Sequence, residues 1–300
     1  MDRLQTMSVF VTVAEEAGFA PAARRLNMSP PSVTRAVSEL EARLGCRLLH
    51  RTTRSVRLTE AGERYLADCR RILSEIEEAD RHAAGIYAAP SGMVSVTASV
   101  MFGRVVLAPI LLDLLDRYPD ISVTTLFVDR VVHLMDEGID VAVRIAELPD
   151  SSLTAVRVGS VRRVLCASPG YLATHGRPRT PSELVDHVII NFVNMTPGGE
   201  WALEKDGKPY SYRPPSRLLL NTADAAIAAV VAGRGITRVL SYMIAPQLQA
   251  GALEIVLEDY EPPAVPVHVL HKEPGQTSAR VRAVVDYLAQ RLRTDPALAS

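Results

Sequence analysis

Apolar residues recur at helical spacing through the first part of the chain. Leu4, Met7, Phe10, Val11 and Ala14 define the inner face of a helix over about residues 3–16, and Gly18 separates it from the next element. A short helix over residues 20–26 carries the small residues Ala22 and Ala23, which let another helix approach closely, and Asn27 and Met28 break it. Ser29 offers a cap to the next helix, whose first turn holds Pro30 and Pro31, where a missing N–H costs little. Val33, Val37, Leu40 and Leu44 come at steps of four, three and four, one apolar stripe, until Gly45 ends the helix. Ser32, Arg35, Ser38 and Arg43 lie off the stripe. The pattern is a helix-turn-helix whose second helix turns a small, hydroxylated and basic face outward, as a major-groove reader must. An ordinary helical hairpin in a core shares the pattern of the two helices alone. The run after Leu49, His-Arg-Thr-Thr-Arg-Ser-Val-Arg-Leu, separates the two, because a β-branched ribbon alternating Arg and Thr reads as a wing lying along phosphates.

Thr59 then caps a long helix, and Glu60 complements its N-terminal dipole. Tyr65, Cys69, Ile72, Ile76, Ala79, Ala83 and Ile86 alternate steps of four and three, a heptad seam on a rod of roughly 40 Å. Charged residues fill the intervals. A lone amphipathic helix would show one apolar face; the strict 3.5-residue period favours a seam with a second copy, and a two-fold dimer suits palindromic DNA. Residues 88–92, Ala-Ala-Pro-Ser-Gly, read as a hinge.

Beyond the hinge the texture changes to alternating strands and helices. Strands are expected over 93–98, 122–127 and 139–144, with helices over 104–118 and 131–137, an order that implies a parallel sheet with helices on its faces. A second block has strands over 162–167, 188–192, 218–221 and 236–240, a looser segment around Trp201, and helices over 181–185, 224–232 and 245–250. Pro262, Pro263 and Pro266 mark a crossover to a last strand (267–271) and a last helix (278–292, with Val281, Val284, Val285, Leu288 and Leu292 inward), which return to the first block. Two α/β lobes joined by crossing strands leave a cleft, as in periplasmic-type solute binders. The expected division is 1–58, 59–89 and 90–300, with one lobe about 92–161 and 267–300 and the other about 162–266.

Composition adds little: 48% hydrophobic and 22% charged residues are ordinary for a globular chain. The net charge of −1 hides an asymmetry, since nine arginines against five acids give residues 1–58 a net +4 and leave −5 for the rest. A basic N-terminal module on an acidic body is the layout expected for local DNA binding. Cys46, Cys69 and Cys166 form neither a metal spacing nor a disulfide framework. With an N-terminus that lacks signal-peptide order and no run of membrane-spanning length, the expected compartment is the cytoplasm. Enzyme readings find little support. His268 and His271 would face opposite sides of a strand, Gly233-Arg-Gly235 follows a helix rather than a strand, and Ser168-Pro-Gly lacks the nucleophile elbow.

The combination of Ala-Ala-Arg-Arg-Leu (22–26), Ser-Pro-Pro-Ser-Val-Thr-Arg (29–35), Leu-Glu-Ala-Arg-Leu-Gly (40–45), Arg-Leu-Leu-His-Arg (47–51) and Leu-Thr-Glu-Ala-Gly (58–62) resembles the LysR-type bacterial transcriptional regulators. In that family Gln often stands where Pro30 is and Ser where Thr34 is. The stretch from Val128-Asp-Arg to Asp136-Glu-Gly-Ile-Asp140-Val-Ala-Val-Arg144, with Cys166-Ala-Ser-Pro-Gly-Tyr-Leu, looks like one large subgroup of it. The resemblance implies a winged helix-turn-helix, a dimerising linker helix and a two-lobed effector domain: an α plus α/β chain that binds an interrupted palindrome as a homodimer or homotetramer. Ser32, Thr34, Arg35 and Ser38, flanked by Ser29 and Pro31, would face bases, and Arg51, Thr52, Arg54 and Arg57 would meet the backbone.

Open α/β sheets take ligands beyond the carboxyl ends of their strands. Ser99, Val100, Met101 and Phe102, at the start of a helix, would form an anion seat of free N–H groups and a hydroxyl. Arg144 and Ile145 end another strand, Asn194 follows one, and Asn221 and Thr222 precede a helix. The expected ligand is a small carboxylated metabolite; no cofactor or metal is expected, and RNA polymerase is a further candidate partner. The rivals are a solute binder without DNA-dependent function, an enzyme with a regulatory DNA module, and a structural nucleoid protein.

Overall fold

Two stretches of this chain bury their apolar faces separately. The structure, a computed structural model, describes residues 2–51, 56–83, 89–148, 153–192, 200–213, 215–272 and 278–298. It divides into units of residues 1–93 and 94–300.

In the first unit, α1 (Arg3–Glu15), α2 (Phe19–Arg25) and α3 (Pro30–Leu44) close around Phe10, Val13, Ala22, Val33, Val37 and Leu40. The turn and cap residues act as their chemistry dictates. Asn27 takes a positive φ of 52°, the Ser29 hydroxyl accepts from the Ser32 N–H at 3.3 Å, and Gly45 ends α3 with φ 70°. Leu44 departs from the expected stripe: it is 36% exposed, and the small Ala36, fully buried, takes part in the core instead. The strands β1 (Leu49–Arg51) and β2 (Val56–Leu58) pair antiparallel, His50 opposite Arg57. The Glu41 carboxylate fixes their start, accepting from the N–H groups of Leu48 and Leu49 at 2.9 and 3.1 Å.

Helix α4 (Glu60–Ala83) starts against this ribbon. The Thr59 hydroxyl accepts from the Gly62 N–H at 3.0 Å and donates to the Arg47 carbonyl at 2.8 Å. A Cβ at Gly62 would lie 2.0 Å from the Leu48 carbonyl oxygen, so only glycine allows the approach. The heptad seam needs correcting. Cys69 is fully buried, Tyr65, Leu66, Ile72 and Leu73 pack into the same core, and Tyr65 meets Phe10 at 5.8 Å between ring centres. The first half of the seam is therefore spent on α1 of the same chain. Ala79, Ala83 and Ile86, the later positions, lie outside the described side chains, as does part of the expected hinge.

The second unit opens with β3 (Gly92–Ala98) and a continuous helical run, α5 (Val100–Phe102) passing through a π-turn (Gly103–Leu107) into α6 (Ala108–Arg117). It continues with β4 (Ile121–Phe127), β5 (Val141–Ile145) and β6 (Thr154–Val161). The chain then passes to β7 (Arg163–Ala167), α7 (Pro169–His175), a 3-10 turn (Pro181–Asp186) and β8 (Ile189–Phe192). A hairpin of β9 (Trp201–Lys205) and β10 (Lys208–Tyr212) precedes β11 (Ser216–Leu220), α8 (Ala223–Val231), β12 (Thr237–Leu240), α9 (Ala245–Gln249) and β13 (Glu254–Val256). Finally β14 (Val265–His271) and α10 (Ala279–Arg293) return to the first sheet.

The first sheet has the order β4-β3-β5-β14-β6. It is mixed rather than parallel: β3 and β5 are parallel, but the returning β14 runs antiparallel to β5 and to the unanticipated β6. In the second lobe β7 lies between β12 and β13, β8 pairs with β11, and a bridge between Ile189 and Ile236 connects the two sets. The expected helix over 131–137 is absent. Val132, Leu134 and Ile139 instead enter a small cluster with Ala142 and Leu270, while Val131 and Met135 are exposed. Arg130 and Glu137 close this loop through two bonds of 2.7 and 2.6 Å. At the crossing between lobes, Arg162 pairs with Glu258 and Glu261 at 3.2 and 3.4 Å, tying one crossing strand to the other.

Candidate functional site

The outer face of α3 is as exposed as a reading surface requires. Ser29, Pro30, Pro31, Ser32, Thr34, Arg35 and Ser38 all reach solvent, while Val33, Ala36, Val37 and Leu40 hold the opposite face in the core. Their polar groups are held locally in the isolated chain. The Ser29 and Ser32 hydroxyls lie 2.7 Å apart, Thr34 donates to the Pro30 carbonyl at 3.0 Å, and Arg35 pairs with Glu39 at 3.1 Å. With its side chain 83% exposed, Arg35 can exchange that partner at little cost. Arg57 is exposed on β2. Arg51 ends β1, and Thr52 and Arg54 lie outside the described residues. Glu41, which pins the ribbon to α3, was not anticipated; its spacing of seven and eight residues from its partners carries no local signal.

In the second unit a cavity of about 670 Å³ opens between the two lobes. Six of the anticipated residues line it: Ser99, Val100, Met101, Arg144, Ile145 and Thr222. Phe102 does not; it is fully buried and meets Tyr242 edge-on at 5.3 Å, because the helix turns its side chain into the core. Asn221 is exposed and lies outside the lining, one residue short of Thr222. Asn194 lies outside the described residues. Most of the wall is aliphatic, from Val128, Val132, Leu148, Leu240 and Met243 among others.

The charged groups of the wall are largely committed. Arg130 is engaged by Glu137, and Asp224, at the start of α8, is paired with Arg104 across the lobes at 2.6 Å. Arg144 donates to the Val132 carbonyl at 3.3 Å. Burial pushes its guanidinium below the usual arginine range, against the nearby Glu137 carboxylate, which holds it up. Burial likewise pushes the Tyr242 hydroxyl, turned toward Ser99, well above the usual tyrosine value. The expected anion seat has an occupant from the chain itself, since the Val100 N–H donates to Asp129 at 3.0 Å. Asp129, Arg130, Glu147, Asp224 and Arg104 were all missed, although the Val128-Asp-Arg motif had marked the loop. Among the described residues no helix is long and apolar enough to cross a membrane, and no group of three or more His, Cys, Asp or Glu could hold a metal ion.

Residues 4–63 match the family model described as bacterial regulatory helix-turn-helix protein, lysR family, and residues 88–293 match LysR substrate binding domain. The HTH-type transcriptional activator AaeR of Escherichia coli is 34% identical over 96% of this chain and 93% of its own. An HTH-type transcriptional repressor of Pseudomonas aeruginosa is 33% identical over 99% and 94%. Among solved structures, CrgA, a LysR-type transcriptional regulator from Neisseria meningitidis, superposes with a TM-score of 0.62 at 29% identity, covering 96% of this chain and 98% of that one.

Proposed function

Because the chain belongs to the LysR family of bacterial transcriptional regulators, we propose that it is a cytoplasmic, sequence-specific regulator controlled by a small carboxylated metabolite held between its two lobes. The observation that carries the effector half is the cavity itself. Its volume of about 670 Å³ suits a small molecule, its walls are mostly aliphatic, and Arg144, Ser99 and Thr222 supply a few polar groups at strand and helix ends. A carboxylate would be neutralised by Arg144.

On DNA, α3 enters the major groove. Ser29, Pro31, Ser32, Thr34, Arg35 and Ser38 then approach base edges, and Arg51, Thr52, Arg54 and Arg57 approach the backbone. Arg35 exchanges Glu39 for DNA on binding. The chain acts as a homodimer or homotetramer on two-fold-related half-sites, the contacts between copies falling on the later part of α4. An effector that changes DNA affinity must itself bind differently to the DNA-bound protein. RNA polymerase is the partner through which activation would run. Relatives of near-equal identity include an activator and a repressor.

The test is footprinting on the DNA upstream of the protein's own gene, with a salt series. A protected two-fold site whose affinity falls steeply with salt supports the reading, since phosphate contacts release counterions. Arg57→Ala should then weaken binding on all sequences and flatten the salt slope. If no site is protected there or across a genomic fragment library, the solute-binder reading replaces this one.

A further inference from the structure

We infer that Asp129 is a resident anion of the effector cavity, so that a carboxylated effector binds by exchange, displacing one carboxylate with another. The inference rests on the effector reading of the cavity and specifies how that site discriminates.

The helical run from Val100 to Arg117 begins at Ser99, in extended conformation, and its first N–H groups have no partner within the helix. That end faces the cavity, and the partial positive charge there favours an anion. Asp129 supplies one. The Val128 N–H donates to the Ala98 carbonyl at 3.0 Å, which sets the end of β4 beside the end of β3 and delivers Asp129 to the helix start. Its carboxylate accepts from the Val100 N–H at 3.0 Å and lines the cavity. Behind that wall the Tyr242 hydroxyl, on a side chain only 2% exposed, turns toward Ser99.

The neighbouring charges make Asp129 the group that must move. Asp224 is held by Arg104, and Arg130 is held by Glu137 through both arms of its fork. Among the described residues Asp129 pairs with no guanidinium, and it is exposed, so solvent can receive it when it swings out. An incoming carboxylate gains the Val100 N–H and the approach to Arg144, and loses what Asp129 had gained there. An uncharged ligand of the same shape has no such competitor. The resident carboxylate therefore lowers affinity for anions selectively, setting the effector concentration at which the cavity fills.

The experiment measures binding of benzoate and of its uncharged isostere benzamide to the full-length protein by calorimetry, in the parent chain, Asp129→Asn and Asp129→Ala. Asparagine keeps the size and an acceptor oxygen but removes the charge; alanine empties the seat. Exchange predicts that Asp129→Ala binds benzoate roughly 5- to 10-fold more tightly, that Asp129→Asn gains less, and that benzamide changes less than about twofold in either. If benzoate affinity is unchanged or falls in Asp129→Ala, or if benzamide gains as much as benzoate, the proposal is overturned while the cavity reading stands. If neither compound binds any of the three proteins, the cavity reading falls and this inference falls with it.

Discussion

Replacing Glu41 with alanine tests whether the ribbon after α3 is held by one carboxylate. Its carboxylate accepts from backbone N–H groups of two residues only 1% exposed, Leu48 and Leu49, at 2.9 and 3.1 Å. Alanine leaves both donors without that acceptor in a site where water replaces it poorly. A hydrogen bond to a charged group contributes about 1.5 kcal/mol or more, so the pair together is worth about 3 kcal/mol. For a unit of this size each kcal/mol moves the midpoint by about 4–8 °C, which puts the loss near 15 °C. Scanning calorimetry of the full-length chain, with far-UV circular dichroism alongside, should show the transition of residues 1–93 lowered by about that amount and that of residues 94–300 unmoved. Glu41→Gln keeps a neutral acceptor and should lose about half as much. Because Glu41 is placed on no phosphate, the residual DNA binding should keep the parent salt slope. A shift in Glu41→Ala below about 3 °C would refute the reasoning, and so would an equal loss in the two variants.

Gly62→Ala should cost about 2 kcal/mol or more, because its Cβ would meet the Leu48 carbonyl oxygen at 2.0 Å and push α4 off the ribbon; the chemical-denaturation midpoint reads this, and an unchanged midpoint sinks it. Burial pushes the Cys69 thiol to about 11 and the Cys166 thiol to about 12, whereas Cys46 is exposed. One thiol should therefore react quickly with a disulfide reagent in the native chain near neutral pH and all three after denaturation; a second fast native thiol would contradict the packing. His187 Nδ1 shares a hydrogen bond with the Tyr171 hydroxyl at 3.2 Å, and that hydroxyl accepts from the Val188 N–H at 2.9 Å. Burial first, and then His175, pushes His187 below its ordinary 6.5. The unfolded chain thus takes the proton first, so the stability tied to His187 is fully present above pH 6.5 and is lost as pH falls through the lower, folded-state value. Melting curves from neutral to mildly acidic pH should fall more steeply for the parent than for His187→Gln, and parallel curves would exclude the effect.

The N-terminal unit was legible because its signals are short in range. Ser29, the two prolines and Gly45 are local instructions, and the stripe of Val33, Val37 and Leu40 needs only one helix to be seen. The errors arose where a neighbour decides. A heptad period shows that α4 has one apolar face and not whose face covers it, and α1 claims the half around Cys69. Leu44 fits the stripe by count, yet it is 36% exposed, while Ala36, off the stripe, is fully buried. In the second unit, Val131, Val132, Leu134 and Met135 have the density of a helix, but only Val132 and Leu134, two apart, point inward. Strand β6 was missed because its alternation is broken by Gly159 and Ser160. The seat at Val100 was found from where strands end. Asp129, which fills it, is 29 residues away, a pairing that only the sheet creates.

Trp201 is the chain's single tryptophan and none of its surface is exposed. Its indole donates to Asn191 at 3.0 Å, on the strand whose last residue, Phe192, lines the cavity. Tryptophan emission from this protein is consequently a report from one lobe. Unfolding of the helix-turn-helix is silent to that probe, and a wavelength change on adding a metabolite locates the event in the second lobe without any label being attached.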